Sequence, residues 1–317
     1  MRVLLVGAGG AVGLRLLPEL RARGHEVVAL TQTAGKAEKL RELGAEPVVA
    51  DVLDREAAIE TVVRSRSEVI VHQATSLAGA RSFKRFDREF ALTNRLRTAG
   101  TANLLEGARR AGSLRRFVAQ SYGNWNYERS GRELKTEDDP FDPAPPANQK
   151  KSLVAIVQLE RSVLSAEGGV EGVVLRYGNF YGPGTAFASD GQISRQLRKR
   201  RLPIIGNGAG IWSFIHVDDV ASATAAALER GAPGVYNIVD DEPGPVSEWL
   251  PELARAVGAR PPLRVPVWLG RLAAGEVGVS MMTQIRGTSN AKAKRTLDWE
   301  PRYRSYREGF RAGLGDG

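Results

Sequence analysis

The sequence predicts an α/β fold, a doubly wound parallel sheet with a smaller C-terminal α/β substrate domain. Three observations predict it. The chain opens on a short apolar run of Val and Leu, Val3-Leu4-Leu5-Val6, which passes straight into a glycine cluster and a helical pattern. Short apolar runs then alternate with segments of helix length as far as Arg116-Phe117-Val118-Ala119-Gln120-Ser121. Further on, Gly182-Pro183-Gly184 marks a crossing into a second, smaller domain.

Whole-chain quantities narrow the function. At 317 residues, 42% hydrophobic and 26% charged, the chain is globular and large enough for two domains. It has no cysteine, which excludes disulfides, a thiol nucleophile and Cys-ligated metals. Its three histidines, His25, His72 and His216, are far apart, so no metal site is expected. No apolar run approaches the ~20 residues that span a bilayer, and the chain enters its first strand at once. A cytoplasmic protein with no membrane partner is expected. The formal charge of +9 raises the question of nucleic acid. The arginines are spread along the chain, mostly on polar helix faces, and the densest run, residues 195–201, has no interleaved aromatics. A small-molecule substrate, and no nucleic acid, is the expectation.

The first strand, turn and helix have the form of a phosphate-binding βα unit. Gly7 permits the tight turn, Gly10 lets a pyrophosphate approach the backbone, and Gly13 lets the helix sit against the strand. The helix start at Ala11 and Val12 offers unpaired N–H groups and a positive dipole end to the anion. The second strand, residues 26–30, ends at Thr31, where NAD-binding units carry a carboxylate for the ribose hydroxyls. None is present, and Lys36 and Lys39 follow. This favours NADP(H), with NAD(H) possible.

A helix is predicted over residues 35–43, a third strand over 46–50 ending in Asp51-Val52, and a helix over 54–64. The fourth strand, 68–72, runs into Gln73-Ala74-Thr75, at a strand C-terminal end where open α/β sheets bind ligands. A long helical pattern covers 86–111, with Asn94 and a small-residue stretch at 98–103. The fifth strand leads into Tyr122-Gly123-Asn124-Trp125.

At this point the chain resembles the extended short-chain dehydrogenase/reductase class, the NAD-dependent epimerase/dehydratase family, a Rossmann-type fold. The agreement runs over nearly the whole length and in order: Gly7/Gly10/Gly13, Asp51-Val52, Asn94 with Gly100-Thr101, and the hydroxyl residue ending strand five. Later come residues 175–184 (Leu-Arg-Tyr-Gly-Asn-Phe-Tyr-Gly-Pro-Gly), 214–220, 235–238 and 297–301. The resemblance implies that Gly7, Gly10 and Gly13 bind the pyrophosphate and that Asp51 and Val52 meet the adenine. It implies that Gln73, Ala74, Thr75 and Asn94 line the dinucleotide, and that Gly178 and Asn179 sit near the nicotinamide and substrate. Two of the family's helices, here 86–111 and 147–166, commonly form a four-helix dimer interface, which makes a homodimer possible.

The chain departs from the family at its catalytic pair. The family's Tyr-x-x-x-Lys lies on the helix after strand five, here 147–166. Aligned through Glu160, the Tyr position falls at Ser152 and the Lys position at Ile156. Three readings follow. In the first, the protein is an atypical NAD(P)H-dependent oxidoreductase that reduces a carbonyl of a bulky small molecule, a ketoreductase in which Ser121 or Tyr122 handles the proton, or the substrate supplies its own. In the second it is a dinucleotide-binding sensor or regulator without chemistry. In the third it catalyses a non-redox isomerisation or dehydration. The first is preferred, because a complete substrate domain has little reason to exist in a bare sensor.

The remaining chain is read as follows. Residues 127–148, rich in charge and proline, form an irregular loop over the substrate site. A helix covers 192–200, a strand 213–217, a helix from Asp219 with Asp218 as its N-cap, and a strand 235–239. His216 is a junction residue rather than a catalytic one. Helices are expected at 247–257 and 267–275, then an apolar stretch 277–285 with Met281 and Met282, which walls a pocket or fills the core. The glycines and Asp316 suggest a frayed tail. The dinucleotide domain is assigned to 1–181 and 214–240, the substrate domain to 182–213 and 241–317.

Overall fold

Val3 and Leu5 face one side of a sheet, Leu4 and Val6 the other, and all four are fully buried. A strand covered on both faces is what an uninterrupted apolar run specifies. In the computed structural model, which describes residues 1–77 and 83–315, seven such strands form one sheet. They are β1 (Arg2–Val6), β2 (Glu26–Thr31), β3 (Glu46–Val49), β4 (Val69–His72), β5 (Arg116–Tyr122), β6 (Glu171–Tyr177) and β7 (Gly234–Ile238). The order is β7-β6-β5-β4-β1-β2-β3, and every pairing is parallel. The chain reverses its direction of winding between β1 and β4, which opens a crevice at the C-terminal ends of those two strands.

Helices cover both faces. On the Val3/Leu5 side lie α1 (Gly13–Ala22), α2 (Ala37–Glu42) and, further along the chain, the alanine-rich Val217–Glu229. On the Leu4/Val6 side lie α3 (Arg55–Ser65), α4 (Thr101–Ala111) and α5 (Lys150–Leu164). The Asp54 carboxylate caps α3, accepting from the N–H of Glu56 and Ala57. Gly107 lets α4 close on α3, since a Cβ there would stand 2.8 Å from Val62 Cβ. Arg116 leaves the sheet edge to donate to the carbonyls of Ala227, Arg230 and Gly231 at the end of Val217–Glu229 (α6). Beyond the sheet a second core is built on aromatics, with Trp212 and Trp249 at 4.9 Å and Phe214 and Trp249 at 5.2 Å between ring centroids.

Two expectations change and two gain detail. The helical pattern at 86–111 is not one helix. It divides into Phe86–Glu89 and Ala91–Arg95, then a π turn at Leu96–Gly100 that feeds α4. The apolar stretch after Gly275 is itself helical. The backbone leaves helical geometry at Gly275 (φ 71°), where the expected helix stops, and a second helix continues through Met281 and Met282 to Thr283. The cap of α6 is His216, whose ring accepts from the Asp218 N–H, because Asp218 sits inside the first turn and pairs with Arg15. The irregular loop at 127–148 is pinned to the rest of the fold. Tyr127 is buried and bonds Asn237, while Leu134–Lys135 pairs in parallel with Gly287–Thr288. The expected tail at Asp316 lies outside the described residues. Among the described residues no helix is long and apolar enough to cross a membrane.

Candidate active site

The turn after β1 is held by backbone bonds that only glycine tolerates. The N–H groups of Gly7 and Ala8 both donate to Leu30 O, and Gly10 N donates to Gly7 O at 3.0 Å. Gly7 has φ +83°, and a Cβ on it would lie 2.8 Å from Ala74 N, so the end of β4 closes directly on the turn. Gly10 differs: a Cβ there would meet only Gly7 O, at 3.3 Å, so its other side is open. The N–H groups of Ala11 and Val12 have no backbone acceptor among the described residues. An open glycine beside free N–H groups at a helix start is a cradle that suits a pyrophosphate.

Lys36 lies across this cradle. Its Nζ donates to Gly9 O at 2.6 Å, and its chain covers the spot a Gly9 Cβ would take. Thr31, buried at the end of β2, accepts from the Thr33 N–H and brings no charge. Asp51 closes the far side, with its carboxylate taking the Leu53 N–H and the Gln32 side-chain amide. Val52 is buried against Gly100, and its carbonyl accepts from Asn103. Gln73 turns inward, donating to the Tyr177 hydroxyl at 2.9 Å. Ala74 supplies backbone to the turn, and Thr75 is half-buried beside it.

At the other end of the crevice the two candidate hydroxyls separate. Ser121 donates to Glu160 Oε1 at 2.7 Å and is buried. Glu160 also takes two bonds from Arg176, at 2.9 and 2.6 Å, in a buried ion pair whose guanidinium lies over the Phe141 ring. Tyr122, half-buried, donates instead to Asn179 Oδ1 at 2.8 Å, and its ring lies 5.9 Å from Trp125. Burial pushes the Tyr122 hydroxyl well above the usual tyrosine range. Asn179 is fixed by two bonds to Ser213 O, and Gly178 lies so close to that carbonyl that a Cβ would stand 2.9 Å away.

Ser152 and Ile156, the positions the resemblance implies for the family's Tyr and Lys, are packed tightly. Ser152 is fully buried, donates to Asp87 Oδ1 at 2.7 Å and accepts from Asn94 at 3.0 Å. Ile156 is fully buried on the same helix. Asn94, expected to line the dinucleotide, is thus engaged with α5 through its amide, while its Oδ1 is buried without a partner. Sequence reading passed over Arg97, which stands in the π turn only 4% exposed, with Nε and Nη1 buried and unpartnered. Helix phase was the available signal, for Arg97 shares the inward stripe of Thr93, Gly100 and Leu104.

Fold and turn define an α/β protein of the dinucleotide-binding, extended short-chain dehydrogenase/reductase class. The chain belongs to the NAD dependent epimerase/dehydratase family, which it matches over residues 3–239. It is 43% identical over 311 residues, 98% of this chain and 99% of the other, to a 3-diazoavenalumate denitrifying reductase of a Streptomyces species. It is 30% identical over 299 residues (93% and 85% of the two chains) to a 4-hydroxy-2-methyl-3-oxo-4-farnesyl-3,4-dihydroquinoline-1-oxide ketoreductase of Stigmatella aurantiaca. Among solved structures it is similar to the UDP-glucose 4-epimerase of Thermus thermophilus in complex with NAD. The TM-score is 0.76 at 26% identity, over 99% of this chain and 98% of that one. Enzymes of this family work with a nicotinamide dinucleotide.

Proposed function

We propose that this chain is an NADPH-dependent reductase that replaces the diazo group of a small aromatic substrate with hydrogen. The carrying observation is the filled dyad site: Ser152 commits its hydroxyl to Asp87, and Ile156 offers no cation. Carbonyl reduction leaves an alkoxide that must be protonated, which is the task of the missing tyrosine. Loss of nitrogen needs no proton. A bound dihydronicotinamide supplies a hydride in place of the departing dinitrogen, so an arenediazonium and reduced dinucleotide give arene, dinitrogen and oxidised dinucleotide. The relative named for a denitrifying reduction supports the same chemistry.

The chain's own residues have distinct tasks in this reading. The N–H groups of Ala11 and Val12, with Gly7, Gly10 and Gly13, hold the pyrophosphate. Asp51 and Val52 meet the adenine, and Ala74 and Thr75 line the path. Lys36 favours a 2′-phosphate, since its ammonium stands at Gly9 and no carboxylate ends β2. Gly178, Asn179 and Tyr122 border the reacting end, where Trp125 and Phe86 (5.3 Å apart) offer aromatic walls. A second reading, reduction of a bulky ketone with Tyr122 as the acid, is favoured by the ketoreductase relative and by the position of that hydroxyl.

The test uses NADPH deuterated at the transferable position, with a 2-diazophenol and a panel of aromatic ketones. Deuterium on the ring carbon with matching release of dinitrogen is the expected result. Deuterium on a carbinol carbon alone overturns it for the ketone reading. Binding of NADPH without turnover of either class returns the sensor.

A further inference from the structure

We infer that Arg97 is an anion-binding residue that receives an anionic oxygen of the substrate. A guanidinium is all donor, and buried donors in folded proteins find acceptors. Here Nε and Nη1 have none among the described residues, although the residue is 4% exposed. Holding a desolvated cation without a partner destabilises the fold, and such a group persists where something outside the chain completes it.

The neighbouring groups make that outside partner specific. The ionisable side chains whose charge Arg97 feels are Tyr122 and Glu160, and His72 feels Arg97 in turn. Glu160 directs its carboxylate to Ser121 and Arg176 and makes no hydrogen bond to the Nε or Nη1 of Arg97. Tyr122 has turned its hydroxyl to Asn179. His72 directs its Nε2 to Leu96 O and is held neutral by burial. Arg97 is thus a buried cation, close enough to Tyr122 to feel its charge, whose Nε and Nη1 find no acceptor among the described residues. Burial lowers it only to about 10, so it stays charged at neutral pH.

The backbone supports the same placement. The π turn at Leu96–Gly100 inserts a residue into the helix and packs on α5, the helix that lacks the lysine at Ile156. Single π turns inside α-helices recur at functional sites, because the insertion re-aims one side chain. The chemistry that would recognise Arg97 is an oxyanion, either a phenolate beside the reacting carbon or a substrate carboxylate. The substrate's identity rests on the reductase reading; the anion site rests on Arg97 alone.

The test uses the full-length protein without dinucleotide and two probes, 4-nitrophenol and benzoate. Wild type is expected to bind 4-nitrophenol as its yellow anion at a pH where the free phenol is mostly protonated. Arg97→Met should weaken this by about tenfold or more, as loss of a charged hydrogen bond does. Arg97→Lys should retain part of it. Arg97→Met should also melt no lower than wild type, since an uncompensated buried charge is removed. A benzoate-selective site, lost in Arg97→Met, supports the carboxylate source instead. Equal binding of both probes by Arg97→Met, or no binding by wild type, overturns the inference. So does a lowered melting temperature with unchanged probe affinity, which marks a purely structural role. NADPH titration of wild type, run in parallel, reports separately on the reductase reading.

Discussion

The Tyr122 hydroxyl donates to Asn179 Oδ1 at 2.8 Å, linking the end of β5 to the segment that follows β6. Burial raises its pKa by more than the nearby Arg97 charge and the Asn179 bond lower it, so Tyr122 holds its proton firmly at neutral pH. This geometry separates the two substrate classes. Tyr122→Phe should leave nitrogen release from a 2-diazophenol within about threefold of wild type, since no proton is transferred there. Ketone reduction through the same residue should fall by roughly 10²-fold or more. Parallel kcat/KM measurements on the two substrates decide it, and a large loss with the diazophenol would count against proton-free chemistry.

In the proposed reading, a preference for NADPH would rest on Lys36. Its ammonium, 2.6 Å from Gly9 O, lies over the turn where the adenosine ribose is expected. Lys36→Ala should weaken NADPH by about tenfold and leave NADH within about twofold, the difference a charged hydrogen bond to phosphate makes. Nicotinamide fluorescence titrations with both dinucleotides measure it. Equal losses for the two would show that Lys36 only props the turn.

The glycine turn was legible in the sequence because its demands are local: a positive φ at Gly7 and close packing at Gly13 can be met by one residue type. The helix carrying Ser152 and Ile156 was legible too, since its apolar stripe repeats with helical spacing. The π turn was not, because an i→i+5 bond depends on what the helix packs against rather than on propensity. Arg97 was passed over with it, as an arginine in a helix ordinarily points to water. The anchors of the loop at 127–148 were not legible because they are distant. The Tyr127–Asn237 bond spans 110 residues, beyond any periodicity argument.

Gly7 and Gly10 should fail differently. At Gly7 any side chain meets the Ala74 backbone at 2.8 Å with φ at +83°, so Gly7→Ala should cost about 2 kcal/mol of stability or more. At Gly10 the only neighbour is Gly7 O at 3.3 Å, so Gly10→Val should melt near wild type yet lose dinucleotide binding. Thermal melts and NADPH titrations on the two variants test the contrast. Retained NADPH affinity in Gly10→Val would remove the premise that this turn holds a pyrophosphate.

His72 gives the fold an acid sensitivity with a defined sign. It is buried at the end of β4, where its Nε2 lies 3.3 Å from Leu96 O, and burial lowers its pKa from 6.5 to about 4, with the nearby Arg97 charge adding to the effect. In the unfolded chain the imidazole takes a proton near 6.5, while in the fold it refuses one until about 4. Between those values the unfolded state binds more protons, so stability falls as pH drops through the window. The contribution is fully present above it and lost below it. The size is about 3 kcal/mol from this one group. His72→Gln keeps a donor for Leu96 O without a titrating ring, so it should flatten the curve of urea midpoint against pH in that interval. Parallel curves for the variant and wild type would mean that His72 does not set the acid limit of this fold.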